Sequence, residues 1–285
     1  MTSRRKKSTK RRTGRLVRGN DGLPTREVGA WSREKLHYIE GYINIFTGGM
    51  KDKWPRRVYI DLFAGPGRSV VEGTSEELAG SPLLALAARD AFTQLYFNDS
   101  QSPAVAALAK RANAVRQTGV LIRNLDCDEA ARDAGAALRL DARNTIGLAV
   151  VDPTGFQISL DALRDMTSKR KVDLIITFMT SYLRRFLGRP SLERQLDAFF
   201  GSTDWRELLA MREAGRVVTY ERLLAFYKHR LATIGYLHVN DTVSIHNSRD
   251  VPIYHLVFAS KHERGDEFYR KISRRKFTGQ ARLFE

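Results

Sequence analysis

Apolar positions along the chain follow two rhythms. Residues 57–62, 94–97, 120–125, 146–151 and 172–178 are short runs dense in Val, Ile, Leu and aromatic side chains, the composition of buried strands. The run 146–151 is almost wholly apolar, as a central parallel strand covered on both faces requires. Between these runs apolar residues recur at helical spacing. Leu36, Ile39, Ile43 and Phe46 form one such face, in a helix that Ser32 would cap and Gly48-Gly49 would end. An alanine-rich helix is expected over 103–116, and further helices over 204–211 and 220–234. The segments 236–245 and 253–260 then alternate like two antiparallel strands about the polar turn 247–252. Strands alternating with helices predict an α/β protein: a mostly parallel seven-stranded sheet, Rossmann-like, with helices on both faces and a closing antiparallel hairpin.

The stretch Asp61-Leu62-Phe63-Ala64-Gly65-Pro66-Gly67 organises this pattern. An acid ends the first strand of the sheet and a glycine-rich turn follows at once, which is how such sheets present a nucleotide-like ligand at strand carboxyl ends. Gly65 and Gly67 let the backbone take unusual dihedrals and approach a ligand, and Pro66 stiffens the turn. A polar loop is expected over 68–79 before Ser81 and Pro82 start the next helix. No third glycine follows, since Arg68-Ser69-Val70 occupies its place. That argues against a nicotinamide cofactor, while Asp99, Asp126, Asp152 and the closing hairpin argue toward S-adenosylmethionine (SAM).

Three later strands also end in acids. Asp99 follows the strand 94–97, where it can accept both ribose hydroxyls of a bound adenosine, because Ser102 and Pro103 can serve the next helix start. Asp126 either meets the adenine amino group or caps the helix beginning near Asp128. Cys127 reads as a small wall residue and not a nucleophile. Asp152-Pro153 ends the central strand, where a substrate would meet the ligand; a plain strand-ending turn is the alternative. Trp31 reads as a packing anchor or, as the alternative, a cofactor lid.

Composition adds boundaries. The net charge is +16, and residues 1–20 hold nine Lys or Arg and no acid, leaving 39 basic against 32 acidic residues beyond them, a net +7. A basic tail over 1–22 is therefore expected, followed by a single domain, 23–285, with an N-terminal helical cap. The tail is either an arm that contacts phosphates or a solvated, disordered leader. Aromatics and cations interleave around Arg184 and Arg185, a pattern that suits RNA or DNA and equally the outer face of an amphipathic helix. Cys127 is the single cysteine, so no intrachain disulfide and no multi-cysteine metal site can form, and no metal is expected. No membrane span or secretory signal is read, and a cytoplasmic location is expected.

The chain resembles the three-Cys-motif partner protein family, TcmP, over nearly all of its length beyond the tail. The likeness rests on Leu23-Pro24, Val28-Gly29-Ala30-Trp31-Ser32, Lys35-Leu36, Tyr59 to Gly67, Gly80-Ser81-Pro82-Leu83, Val151-Asp152-Pro153, Phe178-Met179-Thr180, Tyr227 with Arg230-Leu231, and Asn247-Ser248-Arg249 before Pro252-Ile253-Tyr254-His255-Leu256. The resemblance implies a class I SAM-dependent methyltransferase-like fold with a SAM pocket. It also implies a partner bearing a three-cysteine motif, a radical-SAM-like iron–sulfur protein. Carried over by position, Asp61, Gly65 and Gly67 would line the methionine side, Asp99 the ribose, Asp126 and Cys127 the adenine, and Asp152-Pro153 the catalytic mouth; Phe63, Ala64 and Pro66 of the same turn would also be cofactor-binding. The chain departs from amino-group methyltransferases in having Asp152-Pro153-Thr154-Gly155, with no aromatic directly after the proline. Two functions are expected: a SAM-dependent methyltransferase acting on nucleic acid or a nucleic-acid-associated substrate, or a non-catalytic SAM-binding adaptor for the three-cysteine partner.

Overall fold

A computed structural model describes residues 14–138, 143–187, 189–208, 220–239, 243–273 and 277. Residues 1–13, most of the basic tail, and 209–211 of the helix expected over 204–211 lie outside the described residues. So do 240–242, inside the strand expected over 236–245. The main sheet is built from β3 (Arg56–Asp61), β6 (Gln94–Asn98), β7 (Val120–Arg123), β8 (Thr145–Val151), β9 (Val172–Phe178), β10 (Val243–His246) and β11 (Pro252–Ala259). Their spatial order is β10-β11-β9-β8-β3-β6-β7. β7, β6, β3, β8 and β9 run parallel, whereas β11 is antiparallel to β9 and β10 antiparallel to β11. This is the seven-stranded sheet with a closing hairpin that the alternation of elements predicted. Chain order reverses on either side of β3, so β3 and β8 flank the switch point where open α/β sheets bind ligands.

Strand residues alternate between two cores, one on each face of the sheet. Val58, Ile60, Ala149, Val151, Leu174 and Ile176 face one cluster, with Phe156, Phe199, Phe200, Trp205 and Tyr227. Tyr59, Leu148, Val150 and Ile175 face the other. Helix α1 (Ser32–Met50) covers that second face with Ile39, Tyr42, Ile43, Phe46 and Met50. Ser32 does not cap it: Trp31 holds the cap position without a side-chain bond, and Gly48-Gly49 stay helical up to Met50. Gly49 packs against the Phe268 ring, and helix α9 (Glu263–Ser273) closes over α1 there.

A second, smaller sheet was not legible in the sequence. It has the order β1-β2-β4-β5, from β1 (Leu16–Arg18), β2 (Pro24–Val28), β4 (Arg68–Val71) and β5 (Glu77–Ala79). Two segments read as tail and loop thus form strands. Arg111, on α3 (Ser102–Val115), holds this sheet to the glycine-rich turn. Its buried guanidinium donates to both carboxylate oxygens of Asp21, to Thr25 Oγ1, and to the carbonyls of Pro24 and Pro66. The Arg111 bond holds the Asp21 carboxyl down at about 2. Among the described residues, no helix is long and apolar enough to cross a membrane.

Candidate active site

The turn after β3 takes the shape that its two glycines allow. Gly65 and Gly67 both have positive φ, +58° and +82°. Asn98, at the end of β6, ties the neighbouring strand ends together. Its Nδ2 donates to the carbonyls of Leu62 and Leu125, and its Oδ1 accepts the Leu125 amide. Asp61 is fully buried beneath the turn. It accepts Ser81 Oγ at 2.6 Å and the Phe63 amide at 3.1 Å. Loss of solvent pushes its carboxyl up to about 7 against these two bonds, and the charges of Asp152 and Asp99 add to the rise. Asp61 therefore shapes the turn from below.

Above the turn lies a cavity of about 500 Å3, within the ~300–1,000 Å3 range of small-molecule sites. Phe63, Ala64, Gly65, Pro66 and Gly67 line it on one side, and Asp152, Pro153 and Thr154 from the end of β8 on another. Three parts of its wall were not singled out as site residues in the sequence: Arg26 of β2, Lys35 of α1, and Tyr254 of β11. Lys35 Nζ lies 2.5 Å from Asp152 Oδ2 and 5.2 Å from the Tyr254 ring centre. Thr177 Oγ1, on β9, donates to the other Asp152 oxygen at 2.6 Å. Both carboxylate oxygens at the expected catalytic position are thus engaged. Trp31 combines its packing role with a place on the cavity wall.

The remaining acids lie off the cavity wall. Asp99 is buried, and its Oδ2 accepts the Gly65 amide at 3.0 Å and Arg26 Nη2 at 3.2 Å. Its Oδ1 accepts the Gln101 amide at 2.9 Å, so Asp99 itself, and not Ser102, meets the start of α3. Asp126 is exposed and caps α4 (Cys127–Ala137) through the Asp128 amide. Cys127 is buried, and its thiol is pushed up to about 12, by burial first and then by Asp126 and Asp128. It donates to the Gln157 carbonyl and is unsuited to attack. The structure thus brings together the glycine turn and Asp152-Pro153, ties Asp99 to the Gly65 amide, and leaves Asp99, Asp126 and Cys127 off the cavity wall.

One part of the cavity wall carries aromatics beside cations. Tyr182, Arg185 and Phe186 of α6 (Thr180–Phe186) line it. The Arg185 and Arg189 guanidinium carbons lie 5.7 and 4.8 Å from the Phe186 ring centre, and that of Arg184 lies 5.2 Å from the Tyr220 ring centre.

No protein-family model and no curated protein matches the chain. Solved structures with a partial likeness to this chain include Trm1 from Pyrococcus horikoshii with S-adenosyl-L-methionine, at 12% identity and a TM-score of 0.46, covering 89% of this chain and 63% of that one. Another is M. jannaschii TYW2 in complex with AdoMet, at 12% identity and a TM-score of 0.44, covering 84% and 81%. A third is magnesium protoporphyrin IX methyltransferase from Synechocystis PCC 6803 with bound SAH, at 13% identity and a TM-score of 0.39, covering 82% and 88%.

Proposed function

We propose that the cavity above the glycine turn binds SAM and that the chain transfers its methyl group to nucleic acid or a nucleic-acid-associated acceptor. The observation that carries the reading is the convergence, at the switch point of a sheet with this strand order, of the Gly65–Gly67 turn and Asp152-Pro153 on one cavity. The residues fit the cofactor. Gly65 offers the backbone without a side chain, Phe63 and Trp31 supply apolar wall, and Arg26 carries a buried Nε with no hydrogen-bond partner among the described residues. When bound, SAM supplies an electrophilic methyl group on a sulfonium. The protein's share is alignment and exclusion of water, which need no catalytic triad. Asp152, held by Lys35 and Thr177, would orient the acceptor, and Pro153 fixes the backbone beside it.

The acceptor reading rests on Tyr182, Phe186 and the arginines around them, a surface on which a base can stack while phosphates meet cations. The resemblance to the TcmP family supports pairing with a three-cysteine-motif protein. The engagement of both Asp152 oxygens favours a second reading, a SAM-binding adaptor without transferase activity. Tritiated SAM incubated with the full chain and with fractionated cellular RNA, DNA and protein separates the two. The transferase reading expects label in one fraction, lost on Asp152→Asn. Saturable SAM binding with no label in any fraction, with or without the partner, would overturn it in favour of the adaptor.

A further inference from the structure

Asp99 stands where a cofactor's ribose is expected, yet its carboxylate is already in use. An ionised carboxylate offers about four lone-pair positions. The Gly65 amide, Arg26 Nη2 and the Gln101 amide occupy three of them. A ribose diol needs two, so it fits only if one of these donors leaves. The two amides are fixed by the turn and by the start of α3. The arginine side chain is the donor that can move.

Arg26 is also the donor with an unmet need. It reaches Asp99 from the small sheet, across 73 residues of sequence, with its guanidinium lying over Gly65. Its Nε is buried and makes no hydrogen bond among the described residues. A guanidinium has five N–H donors, and a buried one left short costs free energy until an acceptor arrives. Arg26 lines the cavity and Asp99 does not, so the arginine stands between the cavity and the ribose position. Once off Asp99 it is a cation at the cavity wall that needs an anion. SAM carries a sulfonium, an ammonium and one anionic group, the carboxylate of its methionine.

Building on the SAM reading, we propose that Arg26 is the residue that recognises the cofactor's carboxylate, by exchanging its pairing with Asp99 for a pairing with the ligand as the ribose takes its place on Asp99. The exchange conserves ion pairs. Asp99 trades a guanidinium for two hydroxyl donors, and the guanidinium gains a carboxylate that it can grip with two parallel N–H bonds. Arg26 would then select for the complete methionine moiety among adenosyl sulfoniums.

The test is calorimetric titration of the full chain with SAM and with decarboxylated SAM, which keeps the adenosine, the sulfonium and the amine and lacks only the carboxylate. The wild-type protein should prefer SAM by about 10- to 100-fold, the scale of a charge-assisted pair. In Arg26→Gln the preference should fall to within about twofold, with SAM weakened and decarboxylated SAM unchanged or tightened. Arg26→Lys should keep part of the preference, and it carries the same test if thermal melts show that the glutamine variant does not fold. An unchanged preference in Arg26→Gln, or in Arg26→Lys where only that variant folds, overturns the proposal, as does a wild type that binds both ligands equally. Wild-type protein that binds neither ligand overturns the cofactor reading itself, and the role of Arg26 with it.

Discussion

Gly65 and Gly67 sit two residues apart in one turn, but a methyl group added at each meets different surroundings. Gly67 has φ of +82°, and a Cβ there would lie 2.9 Å from Leu108 Cδ1 and 3.4 Å from Leu83 Cγ. An L-residue forced into this region costs ~1–2 kcal/mol, and overpacking a filled site costs ~1–3 kcal/mol. Leu108 presents the end of a side chain and can retreat, so Gly67→Ala should destabilise by about 2–4 kcal/mol. Gly65 has φ of +58°, and the atoms nearest its Cβ would be those of the Arg26 guanidinium, at 3.4–3.7 Å. Gly65→Ala should therefore cost only the backbone strain, about 1–2 kcal/mol. The order reverses for the ligand. The Gly65 methyl points at a cavity-lining side chain and should weaken SAM binding at least tenfold, whereas the Gly67 methyl points at Leu108 and Leu83. Urea unfolding at matched m-values reads the first ranking, and calorimetry reads the second. The reasoning fails if Gly67→Ala is the milder substitution for stability, or if it is the more damaging one for binding.

Other expectations follow from the same contacts. Arg111→Met leaves the Pro24 and Pro66 carbonyls without their donor and unpairs a buried clamp; it should cost ~3–5 kcal/mol, whereas Asp21→Asn should cost much less because Asp21 is exposed to solvent. Equal losses in urea unfolding would argue against the clamp. A double-mutant cycle on Lys35→Met and Asp152→Asn should return a coupling of ~1–3 kcal/mol; a value below ~0.5 kcal/mol would mean that the pair does not hold this wall of the cavity. Asp61, with its carboxyl at about 7 in the fold against roughly 3.9 when unfolded, binds more protons folded than unfolded between those values. Its contribution is thus fully present below about pH 4 and is lost as pH rises to about 7. Asp61→Asn should flatten that part of the stability profile relative to wild type; superimposable profiles would contradict the burial argument.

The main sheet was readable because its strands are nearly continuous apolar runs and its helices keep a 3.6 period. The turn was readable because an acid, two glycines and a proline in seven residues have few other uses. The small sheet escaped because strands such as Arg68–Val71 and Glu77–Ala79 are three or four residues long, too short to show a period. They are set by pairing with neighbouring strands, not by local propensity. Arg26 and Lys35 escaped for a related reason. A cation in an N-terminal segment reads as surface, and nothing local says that Lys35 will meet Asp152 from 117 residues away. Asp99 was read as free because Ser102-Pro103 looks like a complete helix start. In the fold, Gln101 holds the cap position, and its amide turns back to Asp99.

The central claim is that the cavity between the glycine turn and Asp152-Pro153 is a SAM pocket, and titrating purified full chain with SAM in a calorimeter tests it most directly. The account predicts saturable one-to-one binding that Gly65→Ala weakens at least tenfold while the variant remains folded. Absence of binding by the wild-type protein, or affinity indifferent to a methyl group at Gly65, would contradict it.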